Sequence, residues 1–337
     1  MAAAALDAVK GPQAAFTEIP IIDVSPLFAA DAASRRACGR LIGEACRDVG
    51  FFYIVNHGIA QSRIDEVFAA ARRFFALPEA EKLAIALARS PFMRGYFPLE
   101  GEVLDPALGG DYKEGFDMAL DLPLDDPAVL ARKPLHGPNQ WPARPEEFRS
   151  IVQRYFDELI ELGRALSRGF ALALDLPEDF FTQRMQRPTA ILRLLRYPPN
   201  PLAAEMAKAQ PGCGAHSDYG YLTVLAQDAV GGLQVQNRAG TWIDAKPVPG
   251  AYVCNIGDMM AQWTNDRFAA TQHRVVSSPD RERYSIPFFF HPDFDTEVAC
   301  LPSCQSADNP PRYAPTTTGA HILQRLQEAY VGEAATN

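Results

Sequence analysis

Apolar positions in the first half of this chain recur mostly at intervals of three and four, and in the second half mostly at two. Between Ser34 and Val49 the residues Cys38, Leu41, Ile42, Ala45, Cys46 and Val49 share one helical face. Gly50 stops that helix, and Phe51 to Val55 reads as a buried strand closed by Asn56-His57-Gly58. A shorter β-branched run, Ile19 to Val24, predicts a strand before it. Two further helices are expected over 61–76 and 78–88. The stretches 90–115 and 122–145 are rich in glycine and proline and read as irregular loops, of the kind that carries function or moves. A long helix follows from Glu146 to about Leu174. Its apolar face is Phe148, Val152, Tyr155, Phe156, Leu159, Leu162, Leu166 and Phe170.

Beyond Pro188 the period changes. Short strands are predicted over 190–197, 221–226, 232–236, 242–246, 251–256, 273–277 and 283–290, separated by turn residues. Gly231-Gly232 and Arg238-Ala239-Gly240 have the composition of hairpin turns. The expected fold class is α+β: a double-stranded β-helix (jelly roll) braced by N-terminal helices. The expected division is a disordered tail over 1–15, a helical region with a few strands over 16–185, a jelly-roll core over 186–300, and a C-terminal loop and helix over 301–337. These segments are best treated as one integrated domain. The last helix is expected over 319–330, with a fraying tail.

Composition narrows the classes of function. The chain has 337 residues, 47% of them hydrophobic and 22% charged, with a formal net charge of −9. A nucleic-acid partner is disfavoured, because no basic run offsets that negative charge. No apolar run approaches the roughly 20 residues of a membrane span, so no membrane partner is expected. The alanine-rich start, Met1 to Ala15, lacks the features of an export signal, and a cytoplasmic location is expected. The six cysteines are then expected to be free thiols, including the Cys300/Cys304 pair, which has zinc-like spacing but no second pair nearby.

Candidate chemistry centres on His216-Ser217-Asp218. On an extended backbone, residues two apart point the same way, so His216 and Asp218 can converge on one ion. His273, fifty-five residues after Asp218, completes a two-histidine, one-carboxylate face. Cys213 could instead start a zinc site with His216, but it lacks a partner pair. The other histidines have no ligand partner at strand or helix spacing. His57 is expected in a turn, His136 in a proline-rich loop, His291 capping a turn and His321 in the last helix. Arg283 and Ser285 share a face of the last long strand and offer a guanidinium and a hydroxyl to a carboxylate. Tyr197 can add a phenol to the same anion. The alternative for Arg283 is a surface salt bridge with Glu282 or Asp280, though a charge at the head of the apolar run 286–290 should face a cavity.

Taken together, His216-x-Asp218, His273 and Arg283-x-Ser285 resemble the Fe(II)- and 2-oxoglutarate-dependent oxygenases, in the subgroup similar to isopenicillin N synthase. The segments Ile19 to Asp23, Gly50 to Gly58, Gly231 to Val235, Asn255 to Asp258 and Trp263 to Asp266 look like that subgroup too. The resemblance implies that His216, Asp218 and His273 bind Fe(II). It also implies that Arg283, Ser285 and Tyr197 hold the distal carboxylate of 2-oxoglutarate. Leu195 stands where the family often has asparagine. The implied activity is an oxidoreductase using O2 to oxidise, most simply to hydroxylate, a small molecule, with release of succinate and CO2. Arg193, Tyr219 and Phe289 are candidate substrate contacts. The alternatives for Arg193 and for the other two are a structural ion pair and core packing. The 93–102 loop and Arg312-Tyr313 are candidates for the pocket rim.

There is some likeness to thymine hydroxylase-type members and to the ethylene-forming enzyme. Ser285 replaces a small apolar residue of the latter and argues against ethylene formation. Competing readings are an Fe(II) oxidase that needs no 2-oxoglutarate, and a jelly-roll binding protein with a dead site. Substrate identity and oligomeric state stay open at this level.

Overall fold

The computed structural model describes residues 15–102, 109–204 and 211–329. Most of the expected N-terminal tail and the end of the C-terminal tail therefore lie outside the described residues. In chain order the elements are β1 (Ile21–Asp23), α1 (Ala32–Asp48), β2 (Phe51–Val55), α2 (Gln61–Phe75), α3 (Glu79–Leu83), β3 (Gly95–Phe97) and β4 (Glu114–Ala119). Then come α4 (Pro127–Leu130), α5 (Phe148–Ala173), β5 (Pro188–Tyr197), β6 (Cys213–His216), β7 (Leu222–Gln227), β8 (Leu233–Gln236) and β9 (Trp242–Asp244). The chain finishes with β10 (Tyr252–Ile256), α6 (Asp258–Trp263), β11 (His273–Val275), β12 (Arg283–Asp293), β13 (Glu297–Val298), β14 (Thr316–Thr317) and α7 (Thr318–Ala329).

Two sheets face each other as a jelly roll. The larger runs β1-β2-β10-β7-β12-β5-β4-β3, and the smaller runs β6-β11-β8-β9. The strands of the first half, β1 to β4, thus form both edges of the large sheet, which joins the helical region to the core. All eight residues expected on the buried face of α5 are buried, and they pack against the outer face of the large sheet. At Gly163 a Cβ would come within 2.7 Å of the Phe290 ring, so glycine lets α5 approach β12 that closely. The inner faces enclose a second cluster, with Phe51, Tyr53, Leu195, Tyr197, Leu233, Val235, Val253 and Val275. The polar site opens beside that cluster.

Several elements depart from the expectations, α4 inside the expected 122–145 loop and the short β13–β14 pair among them. The 90–115 stretch is not irregular throughout, because β3 and the start of β4 lie in it. β4 escapes the pattern because all six of its residues are buried, and its charges are neutralised from β5. Asp117 and Glu114 sit directly opposite Arg193 and Arg196 and pair with them. β6 has the weak strand composition Cys-Gly-Ala-His, and α6 is too short to show a period. Finally, His216 and Asp218 do not share a strand: β6 ends at His216, and Asp218 lies just beyond it.

Candidate active site

Strand register brings the metal-type ligands together. β6 and β11 pair antiparallel with His216 directly opposite His273, and their rings lie 4.2 Å apart. Asp218 turns in from the strand end so that its Oδ1 is 3.7 Å from Nε2 of both histidines. His216 Nδ1 donates to the Gly214 carbonyl at 2.8 Å, and His273 Nδ1 donates to Thr271 at 3.2 Å. Each ring is thereby held with its Nε2 lone pair toward the shared centre. The other aspartate oxygen, Oδ2, is occupied. It accepts from Thr223 Oγ1 at 2.5 Å and Asn255 Nδ2 at 2.7 Å. Those two residues face each other across β7 and β10, so sheet register also fixes the carboxylate. Among the described residues this is the one group of three or more His, Cys, Asp or Glu side chains that could hold a metal ion, with ligand atoms within 4.8 Å of one another.

The electrostatics agree with that geometry. Burial alone would raise the Asp218 carboxyl. His273, His216 and the hydrogen bonds from Asn255 and Thr223 outweigh it and hold the group below its usual range. Burial, then the His216 ring, push His273 down to about 4, so it is a neutral donor of electron density at physiological pH.

Across the cavity, Arg283 is fully buried at 2% exposure. Its Nε donates to the Gly231 carbonyl at 2.6 Å and its Nη1 to Ser285 Oγ at 3.1 Å, while Nη2 has no partner. Arg283 forms no ion pair among the described residues. The surface salt bridge with Glu282 or Asp280 is not formed: Glu282 pairs with Arg196 instead. The Tyr197 ring lies 4.6 Å from the guanidinium, directly across the β5–β12 ladder. Burial pushes the Tyr197 phenol up, so it stays protonated and able to donate. A buried cation with an unused N–H costs several kcal/mol unless an anion joins it. The donor set therefore fits the carboxylate of a bound co-substrate, as the three Nε2 and Oδ1 atoms fit an Fe(II) face.

Strand β12 lines the cavity with alternate residues, Arg283, Ser285, Pro287, Phe289 and His291. β5 does the same with Ile191, Arg193, Leu195 and Tyr197. Phe289 and Tyr219 both border the chamber next to His216 and Asp218. Arg193 also faces it, but inside an ion-pair network. It donates twice to Asp117, at 2.8 Å each, and to Glu102 at 2.8 and 3.1 Å. Lys113 joins the network through Glu102 at 2.8 Å and Asp111 at 2.6 Å. Burial would raise the Glu102 carboxyl, yet Arg193 and Lys113 hold it well below the usual carboxylate range.

Other expectations find different places. Arg312 and Tyr313 bind Asp266 and do not line the chamber. Of the 93–102 loop, Glu102 alone does. Cys213 lies 3.8 Å from His216 Nδ1, on the side away from the shared centre, and all six cysteines are free. His57 stacks on Tyr252 beside the Gly250 carbonyl, and His321 binds the Tyr219 carbonyl at 2.7 Å. His291 does not cap a turn: it is a strand residue at the chamber wall. The site residues to which sequence reasoning gives no site role are Thr223, Asn255, His291, Ile322 and Leu326. His291 is within its reach, since it sits eight positions after Arg283 on the same alternate face.

Two family models match the chain. The N-terminal model of the non-haem dioxygenases in morphine synthesis covers residues 19–144, and the 2OG-Fe(II) oxygenase superfamily model covers 188–292. The 2-oxoglutarate-Fe(II) type oxidoreductase hxnY of Emericella nidulans is 39% identical over 93% of this chain and 91% of its own length. The chain belongs to the 2OG-Fe(II) oxygenase superfamily. Homoarginine-6-hydroxylase 2-ODD-233 of Oryza sativa subsp. japonica is 36% identical, over 94% of this chain and 98% of that protein. Among solved structures, a full-length Neurospora crassa protein in complex with alpha-KG and thymine superposes with a TM-score of 0.81. It is 30% identical and covers 92% of this chain and 96% of its own. This oxygenase is accordingly an oxidoreductase that uses Fe(II), 2-oxoglutarate and O2 to oxidise a small molecule.

Proposed function

We propose that His216, Asp218 and His273 are the iron ligands, and that Arg283, Ser285 and Tyr197 hold the distal carboxylate of 2-oxoglutarate. The observation that carries the second assignment is the buried Arg283 guanidinium, with an unpartnered Nη2 and no ion pair among the described residues. The iron supplies the O2-activating chemistry that couples decarboxylation of 2-oxoglutarate to oxidation of the substrate. The chain's own residues do the rest. The Gly214 and Thr271 carbonyls orient the two imidazoles, and Thr223 with Asn255 leaves one aspartate oxygen for the metal. Arg283 and Ser285 set the co-substrate's reach, and the apolar inner cluster keeps water away from it.

The substrate is a compact molecule oxidised, most simply by hydroxylation, in the chamber between Phe289, Tyr219 and Ile191. The Arg193–Glu102 pair forms its polar edge and acts on substrate as an oriented ion pair rather than a free cation. Membership of the isopenicillin N synthase-like subgroup is supported by the Arg283-x-Ser285 pair and the Gly231 to Val235 segment. The strands β1 to β4 within the large sheet support treating 16–185, 186–300 and 301–337 as one integrated domain. Six free thiols suit the reducing cytoplasm. The net charge of −9 repels nucleic-acid phosphates, and no helix among the described residues is long and apolar enough to cross a membrane.

Anaerobic titration of the protein with Fe(II) and then 2-oxoglutarate tests the assignment. A weak visible charge-transfer band is expected, saturating at one equivalent of each. Its absence in the native protein, with Fe(II) bound, sinks the proposed co-substrate site.

A further inference from the structure

We propose that His291 is a specificity-determining residue: it donates a hydrogen bond from its Nε2 to an acceptor on the substrate. The proposal rests on reading the adjoining chamber as the substrate chamber. His291 is 4% exposed and lines that chamber together with His216, Asp218 and Phe289. One ring nitrogen, Nδ1, lies 3.1 Å from the backbone nitrogen of Tyr221. A backbone N–H can only donate, so the ring nitrogen facing it must offer a lone pair. The ring is held there: Gly220 packs against it so closely that a Cβ would lie 1.8 Å from Cε1. Of the ring's neighbours, the Asp218 carboxylate and the Phe290 carbonyl favour a second proton. Burial and His321 oppose it and prevail, with the ring pushed down to about 4. A neutral imidazole with one nitrogen committed as acceptor carries its proton on the other.

Apart from the Phe290 carbonyl beside the ring, no acceptor among the described residues takes a hydrogen bond from that donor, and the ring borders the chamber. An N–H at the chamber wall is available to an acceptor on whatever fills the chamber. The opposite wall is apolar and comes from the far end of the chain. Ile322 and Leu326 of α7 border the same space, and α7 is pinned by Arg325 to Asp258 at 3.0 Å and by His321 to the Tyr219 carbonyl. The chemical class that fits is a compact ring or aliphatic body carrying a carbonyl, ring nitrogen or similar acceptor. Its apolar side rests on Ile322, Leu326 and Phe289.

The test uses full-length protein labelled with 15N-histidine, loaded with Zn(II) and 2-oxoglutarate. Among six histidines, the His291 signal is assigned by its loss in His291→Gln. The expected result is a neutral Nε2–H tautomer that does not titrate between pH 8 and pH 6. Thymine or δ-valerolactam, both carrying ring carbonyls, should shift it saturably, whereas toluene should not. His291→Phe should weaken binding of those two probes by about tenfold, the loss of one neutral hydrogen bond, while His291→Gln restores most of it. Affinity for 2-oxoglutarate should be unchanged in both variants. An Nδ1–H tautomer overturns the proposal. So does the absence of any shift with both carbonyl probes at millimolar concentration, or an equal shift with toluene. Failure of the iron and co-substrate assignment shows separately, as unchanged His216 and His273 signals on loading.

Discussion

The two ends of β12's inner face are built differently. At the Arg283 end every polar contact comes from sheet: Tyr197 opposite on β5, Ser285 on the same face, and the Gly231 carbonyl at the entry to β8. At the His291 end β12 and β5 (Ile191, Arg193) supply sheet walls, and Glu102, the segment around Asp218 and α7 supply the rest. Long strand pairing fixes the first end, as the proposed site for a small anion of constant shape requires. The second end borrows α7, whose first residues hydrogen-bond to the Phe294 and Thr296 carbonyls, whose Arg325 pairs with Asp258, and whose Ile322 is buried in the core. On the proposed assignment, one strand carries a co-substrate site framed by sheet and a substrate site framed in part by a helix.

The comparison can be broken most severely at the centre between the two ends. Asp218→Ala removes the anionic ligand and should abolish succinate formation, with no activity above that of free metal. At the rigid end, Arg283→Gln should weaken 2-oxoglutarate by about 100-fold, the size expected for losing a buried charge-assisted interaction. Fe(II) affinity, measured anaerobically, should stay unchanged. An unaltered 2-oxoglutarate affinity would remove Arg283 from the site. Asn255→Ala reaches the metal only through Asp218. It should weaken metal binding by about 10- to 100-fold, with 2-oxoglutarate affinity normal once metal is saturating.

The smallest effect concerns pH. His273 and His291 are both pushed from 6.5 to about 4 in the folded chain. Below about pH 6.5 the unfolded chain binds protons that these two rings refuse. The metal-free protein should therefore be fully stable above that pH and lose stability as pH falls toward 4. Thermal melting across that window checks the sign. His291→Gln should flatten the slope by one of the two protons, and an unchanged slope would mean that His291 does not titrate as described.

The candidate site is partly legible in the sequence because its signals are short-range or share one period. His216, Asp218 and His273 are sparse residue types at usable spacing, and Arg283, Ser285 and Phe289 follow a period of two along one strand. His291 obeys the same period, but the proline after it imitates a strand end and gives it the look of a turn residue. Thr223 and Asn255 look like ordinary strand residues until β7 and β10 are set side by side. The Arg193 role turns on β4, whose buried charges disguise a strand as a loop.

What the sequence by itself determined is the class of chemistry and the architecture: a jelly roll, a three-ligand metal face, and a cation two positions from a hydroxyl. These follow from residue identity and local periodicity, which need no partner to be read. Only the tertiary structure decided which hydrogen bonds orient the proposed ligands, that Arg193 is already paired, that Arg283 forms no ion pair among the described residues, and that α7 borders the chamber. Most depend on strand register or on contacts across tens of residues, where the local pattern does not record which groups will meet.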